Sequence, residues 1–327
     1  MKRHRQILPL LGACAFLSVA AGCANGPTVS GSFDRTFTVS GHTRLEINNV
    51  SGEVKITTGA DDKIHVHADV HTKGGGQQDS QKRLSAIEAN PPVEQTPDGV
   101  RIGKSGVRFD NTHFDYSIEV PRDTEVASNV ASGNQSIRGV RGPVKIQSVS
   151  GAIAVADIAG EAQLTSLNGA IAATNIGDAV RASSSSGAIA IAAVKDDVRA
   201  TSQSGAISIS KVAGRVEAQS SSSAIEVDGV TNDVKMRGVS GGLTLHGNPA
   251  PNSFWDLHTV SGTVEVGIPT GANFHLLAES TGGEISTNFP IMIEEQGKHS
   301  LRAQIGTGGA RVEIHTVSGG IRLLPSN

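Results

Sequence analysis

Ser150-Gly151-Ala152-Ile153-Ala154-Val155-Ala156-Asp157-Ile158-Ala159-Gly160-Glu161-Ala162-Gln163-Leu164-Thr165-Ser166-Leu167 is followed by Asn168-Gly169-Ala170-Ile171, where the pattern begins again. Glycine returns at 133, 151, 169, 187, 205 and 241 on a spacing of 18, with Ser223 in the one gap. A second lattice, Gly142, Gly160, Asp178, Asp196, Gly214 and Asn232, lies nine residues further along. Glycine, asparagine and aspartate tolerate positive φ at low cost. The lattice therefore predicts a corner every nine residues.

Between corners the apolar residues alternate. Two, four and often seven places after a corner stand Ile153, Val155 and Ile158, then Ile189, Ile191 and Val194, then Ile207, Ile209 and Val212. The intervening arms carry Val144 with Ile146, Ala162 with Leu164, then Val180, Val198, Val216, and Val234 with Met236. Alternation marks a strand with one face inward, and the helical period is absent. A nine-residue unit cannot bury a core alone, but coils of 18 residues stacked about 4.8 Å apart can. The fold expected is all-β: a parallel β-solenoid of the single-stranded β-helix or β-roll type, regular over residues 122–247. The crossover preference of parallel strands implies right-handed winding. Calcium-binding nonapeptide repeats need Gly-Gly-x-Gly-x-Asp, which is missing here. Left-handed hexapeptide helices need an apolar residue every six, which the corner lattice disfavours.

Composition agrees. The chain has 327 residues, only 3 % of them aromatic, and a formal charge of −3. That balance excludes the basic footprint of a nucleic-acid binder. Two cysteines cannot build a disulfide framework or a zinc ribbon. So few rings argue against an aromatic-lined cofactor pocket, and no cofactor is expected.

The flanks are less regular. Residues 2–5 are Lys-Arg-His-Arg, an apolar run follows from Ile7 to Ala21, and the segment ends Ala20-Ala21-Gly22-Cys23. This is the layout of a secretory signal, too short and interrupted to span a membrane. The cysteine after Ala-Ala-Gly resembles a bacterial lipoprotein signal. That resemblance implies removal of residues 1–22, acylation of Cys23 as a membrane anchor and, with Ala24 next, an outer-membrane destination. Residues 23–35 then read as a tether, and 36–121 as a β-rich lead-in and cap. The lead-in contains one short helix, Ser80 to Ala89, stopped by Pro91-Pro92. Strands are expected at Val100–Ile102, Val107–Phe109 and Tyr116–Val120. Residues 248–327 read as continued, irregular coils.

Asn49-Val50-Ser51-Gly52-Glu53-Val54-Lys55-Ile56, followed by units such as Ser204-Gly205-Ala206-Ile207-Ser208-Ile209, resembles the bacterial adhesin-like β-strand-repeat lipoproteins, a family of unknown function. The resemblance spans about 36–327. It implies binding at the cell envelope and supplies no residue roles.

Candidate sites come from the residues themselves. If the Ile and Val columns face inward, Ala152, Ala154, Ala170, Ala172, Ala188, Ala190, Ala206 and Ser208 face outward. They make a nearly side-chain-free patch of roughly 300 Å². It could be covered by the chain's own helix or C-terminal segment, meet an envelope protein, a glycan or a second copy, or face solvent. A polar ladder, Ser150, Asn168, Ser186, Ser204, Ser222 and Ser240, could bond coil to coil or offer hydroxyls to a glycan. His65, His67, Asp69 and His71 share one side of a strand, a weak candidate metal set or simply a solvated face. Gly103-Lys104-Ser105 lacks the first glycine of a phosphate loop, since Asp98 stands there. The outward series Lys145, Gln163, Arg181, Arg199, Glu217 and Lys235 lacks the paired acids of a glycosidase. The reading is a non-enzymatic envelope lipoprotein presenting a binding surface. The alternatives are a scaffold self-assembling through the Ala face and a carbohydrate-active β-helix enzyme.

Overall fold

The computed structural model describes residues 28–74, 76–103, 109–289 and 291–326. The signal segment, Cys23, Lys104, Ser105 and most of the strand expected at Val107 lie outside them. The described chain is a β-solenoid of two long sheets, one of 14 strands and one of 15. Each coil places one strand in each sheet and pairs it in parallel with its equivalent one repeat away. Ile153, Ile171, Ile189, Ile207, Ile225 and Leu243 stand side by side in one sheet. Val144, Ala162, Val180, Val198, Val216 and Val234 do so in the other. None of these twelve side chains is more than 2 % exposed. Burying one such Ile or Val contributes about 1.5–3 kcal/mol, and the columns face each other as one continuous core.

Gly133, Gly151 and Gly241 of the 18-residue column hold positive φ, at 144°, 133° and 154°, but the half-period corners use it at a different place from the one the lattice suggests. None of the six residues from Gly142 to Asn232 lies in the left-handed region. Gly139, Asp157, Asn175, Ala193, Lys211 and Gly229, three positions earlier, hold φ between 55° and 83°. This kink ends the strict alternation. Val155 points in, Asp157 would follow it, and the kink turns Ile158 inward instead. Ala193 and Lys211 are poor left-handed residues, which is why the sequence hides this column. In place of that role, Asp178 and Asp196 accept the N–H of the next residue, at 2.7 and 2.8 Å.

The 18-residue glycine column has a steric cause. At Gly169, Gly187 and Gly205 a Cβ would sit 1.8–2.0 Å from the carbonyl oxygen of the glycine one coil before. No side chain fits those three corners without a shift of backbone; Ser223, in the same column, is accommodated with its Oγ donating to Ser204 O.

Both ends depart from the simple stack. Val29–Thr38, whose first half was expected to be tether, is a strand paired antiparallel with Lys63–Thr72. Its alternation (Val29, Phe33 and Phe37 against Ser30, Asp34 and Thr38) supplies the reason, and Phe33 is buried. Lys63–Thr72 pairs antiparallel with Thr112–Val120, which lies beside Val54–Thr58 of the first coil. The helix, Gln77–Ala89, packs Leu84 and Ile87 over the outermost strands of this cap. At the other end the stacking order is not the chain order. Ala310–Ser318 and Ile321–Ser326 lie directly on Phe254–Ser261 and Val264–Pro269, and Phe274–Ser280 and Ile285–Thr287 lie outside them. The antiparallel strands Ser300–Ile305 and Met292–Gln296 close that side.

Two single changes have opposite signs. Ala193→Gly relieves left-handed strain and is expected to stabilise by about 1 kcal/mol. Gly187→Ala forces a Cβ into backbone and is expected to cost about 3 kcal/mol or more. Urea unfolding of both variants checks the pair; a destabilised Ala193→Gly contradicts the corner assignment.

Candidate functional site

Ala152, Ala154, Ala170, Ala172, Ala188, Ala190, Ala206 and Ser208 are all exposed on the outer face of the 14-stranded sheet. Ala154, Ala172, Ala190 and Ser208 stand in register on neighbouring strands. The helix packs against Val29–Thr38 and Lys63–Thr72 instead. Among the described residues nothing covers the face. It offers methyl and hydroxyl groups and no charge of its own, and is flanked in register by Ser136 and Arg138 on one side and Glu226 and Asp228 on the other.

The polar ladder is also exposed along its length, from Ser150 to Ser240. The hydroxyls that satisfy the turns belong to a different column, two residues earlier. Ser166, Ser184, Ser202 and Ser220 are buried, and each Oγ accepts the N–H three residues on, at 2.8–3.1 Å. Ser148 donates to Gly151 O at 3.3 Å. The sequence reading missed this column because it looked for serine beside the glycine. The available signal was period alone: Ser148, Ser166, Ser184, Ser202 and Ser220 recur every 18 residues in phase with the inward residues.

The outward charge series is paired in place over Arg181, Arg199, Glu217 and Lys235. Arg199 meets Glu217 at 2.9 Å, Lys235 reaches the same carboxylate at 4.0 Å, and Arg181 pairs with Glu161. No pair of free carboxylates faces a common space there.

The histidine strand of the cap does not gather into a metal centre. His67 and His65 lean on Asp34 of the neighbouring strand, at 3.0 and 3.4 Å. Asp69 lies 3.6 Å from His67. His71 turns the other way, to Ser30 at 2.8 Å and Asp115 at 3.7 Å. Among the described residues no three His, Cys, Asp or Glu side chains are placed to hold a metal ion. Cross-strand pairing, which a reading of one strand cannot see, sends His65 and His67 to Asp34 and His71 to Asp115.

An open cavity of about 770 Å³ lies at the cap, between Thr28, Val50, Phe109 and the pair His71–His113. On its wall Ser51 Oγ meets His113 Nδ1 at 2.8 Å, and His113 Nε2 meets Asp115 at 3.1 Å. The order is that of a hydrolytic triad, but its electrophilic half is missing. Gly52 N–H is committed to Ser132 O, and Glu53 N–H to Asp115. No pair of free amides beside Ser51 is left to receive an oxyanion.

A second cavity, of about 540 Å³, lies near the far end of the solenoid, lined by His258, His299, His315 and Glu279. His258 and His315 occupy neighbouring strands with ring centroids 4.4 Å apart. Burial, then the Arg237 guanidinium and His315, hold His258 below its ordinary value. Burial pushes Asp256 up, but hydrogen bonding and charge from Arg237, with His258, outweigh it and leave the carboxyl below its usual range.

The Toastrack DUF4097 family model matches residues 42–324. The chain belongs to that family. The Toastrack match thus takes in the first coil, the regular stack and the reordered C-terminal coils alike. No curated protein matches the chain. Among solved structures, a putative cell adhesion protein from Clostridium sporogenes ATCC 15579 aligns at 10 % identity, over 90 % of this chain and 100 % of that one, with a TM-score of 0.25. A score that low establishes neither a shared fold nor a shared function.

Two measurements check this geometry. Ser184→Ala strips the acceptor from a buried amide of this Toastrack chain and is expected to cost about 1–2 kcal/mol. Ser186→Ala, two residues away and exposed, is expected to change stability by less than about 0.5 kcal/mol. Equal effects in urea unfolding contradict the assignment. His258 binds a proton less readily when folded than when unfolded. Its contribution is therefore complete above pH 6.5 and lost as pH falls through the folded value. His258→Gln is expected to show a smaller drop in Tm than the parent between about pH 7.5 and 5.5.

Proposed function

We propose that this Toastrack protein is a non-enzymatic lipoprotein of the cell envelope. Cys23 carries the anchor, and the outer face of the 14-stranded sheet is its binding surface. The observation that carries this is the uncovered, in-register face from Ala152 to Ser208, which holds no charged side chain. A contiguous uncharged patch of roughly 300 Å² is of the size that often serves as a contact surface. Alanine has no rotamer freedom to lose on contact, so the ordering cost of binding there is low. The same flatness suits an extended ligand, such as a glycan chain or the surface of another envelope protein.

The charge series with its acids already paired, and the Ser51–His113–Asp115 group without oxyanion donors, both favour binding over catalysis. The export reading rests on the basic, apolar and Ala-Ala-Gly-Cys segments of residues 2–23.

Ala172→Glu together with Ala190→Glu tests the surface. Both side chains point to solvent, so Tm is expected to stay within about 2 °C of the parent. Binding to a panel of envelope glycans and purified envelope proteins is expected to fall at least about tenfold. Parent-like binding across the panel would remove the Ala face from the proposal. Cys23→Ser is expected to move the protein from the membrane to the soluble fraction; unchanged membrane retention contradicts the anchor.

A further inference from the structure

Six of the exposed large apolar side chains share one position of the repeat: Val50, Val149, Leu167, Val239, Val260 and Val317, all between 47 % and 63 % exposed. Each precedes the polar residue and glycine, or its equivalent, of the same corner. The register carries the column from coil to coil, through Ser51–Ser132–Ser150 at one end and Ser240–Ser261–Ser318 at the other. The other coils of the column carry Ala131, Ser185, Gln203 and Ser221 at this position. Along the whole corner, from Val50-Ser51-Gly52 to Val317-Ser318-Gly319, the three turn positions hold no Asp, Glu, Lys or Arg. The opposite corner is the reverse. It carries Arg141, Glu161, Asp178, Asp197, Arg215 and Asp233. The solenoid is amphipathic edge to edge.

The chain enters the structure on the apolar side. Thr28 lines the same cavity as Val50, and Cys23 is five residues upstream. Fully extended, that segment reaches at most roughly 18 Å. An acyl chain on Cys23 therefore holds this corner close to the bilayer. A tether that short gives weak apolar contacts a high local concentration of lipid, and a single lipid signal needs a second one for stable seating. The charged corner, where Arg141 pairs with Asp123 and Arg215 with Asp233, then stays in water rather than against the bilayer.

We infer that the solenoid lies lengthwise on the lipid surface, with its charge-free Val and Leu corner against the bilayer. The inference rests on the anchor at Cys23 proposed above. Lying flat puts both apolar groups, Val50 to Leu167 and Val239 to Val317, in contact along roughly 40 Å. It leaves the Ala face of the 14-stranded sheet free to one side.

The test uses the acylated protein, whose only free thiol is an introduced one. Val149→Cys, Val260→Cys and, as control, Ala172→Cys are labelled with an environment-sensitive dye. Each is reconstituted into phosphatidylethanolamine–phosphatidylglycerol vesicles. Acylation of Cys23 is read first by intact mass. Blue-shifted emission at 149 and 260, with iodide quenching at least about threefold lower than at 172, supports the inference. Adding Leu167→Glu and Val239→Glu is expected to restore quenching. Absence of acyl groups on Cys23 ends the anchor reading and this inference with it. Acylated protein with equal quenching at all three sites, or protection at 149 alone, ends the inference and leaves the anchor standing. Protection found in whole cells but not in vesicles assigns the corner to a protein partner and also overturns it.

Discussion

The structure depends on one constraint: each strand of the regular stack hydrogen-bonds in parallel, in register, to the strand one repeat away. A residue is therefore stacked on its own equivalent, and whatever one position requires is required in every coil. The glycine column is the clearest case. At Gly169, Gly187 and Gly205 the corners approach so closely that a Cβ would strike the carbonyl of the coil before, and the neighbour needs the same absence of a side chain. The buried serines follow the same rule. A turn amide left without a partner in one coil is left so in all, so the acceptor recurs from Ser166 to Ser220. Left-handed strain at Asp157, Asn175, Ala193 and Lys211 recurs for that reason too. In a stack, strain at one corner cannot be relaxed without breaking the register of two neighbours.

The aromatic residues lie outside the regular stack, whose apolar core layers are Ile, Val, Leu, Ala and Met. Between Tyr116 and Phe254 the chain holds no Phe, Tyr or Trp. The rings collect where repetition stops. Phe33, Phe114 and Tyr116 pack together in the N-terminal cap, with Phe114 and Tyr116 stacked at 5.7 Å. Trp255 and Phe274 fill the core at the other end, and Trp255 donates its indole N–H to Asn232 O at 2.8 Å. The ends need this bulk because an open coil exposes both strand edges and core. Antiparallel strands and the helix cover one end. The other is thickened by sliding the last coil between two earlier segments.

The regular stack was legible because its signal is periodic. Ile153, Ile171 and Ile189 announce both the strand and its neighbour. What escaped was non-repeating or carried by residues that do not advertise it. Ala193 and Lys211 conceal the left-handed corner, and Ser148 and its equivalents look like outward polar residues until their phase is compared with Ile146. The tether expected over 23–35 covers Val29 to Arg35 of the first strand, because Ser30 and Gly31 outweigh the single buried Phe33 there. The reversed order of Ala310–Ser318 and Phe274–Ser280 has no local signal at all; both alternate equally well. At the candidate sites, the outward Ala residues followed directly from the inward columns. The histidines did not, since His71 meets its carboxylate on a strand more than forty residues away.

A solenoid built this way has a surface as repetitive as its core. Its outer columns are rails of one chemistry, and a site with convergent groups can arise only where the repeat breaks. That is where both cavities and both histidine pairs are found. The regular section can offer area and flatness but little shape. Area of that kind gives weak contacts summed over length, because nothing on an Ala or Val rail selects one ligand pose over the next repeat. Such a surface performs when something else fixes the protein in place, and a lipid at the end of a short tether is one physical means of doing so. The absence of charge on the Val and Leu corner then has a positional meaning. A rail of valines is a poor recognition device in free solution and an adequate one a few residues from a membrane.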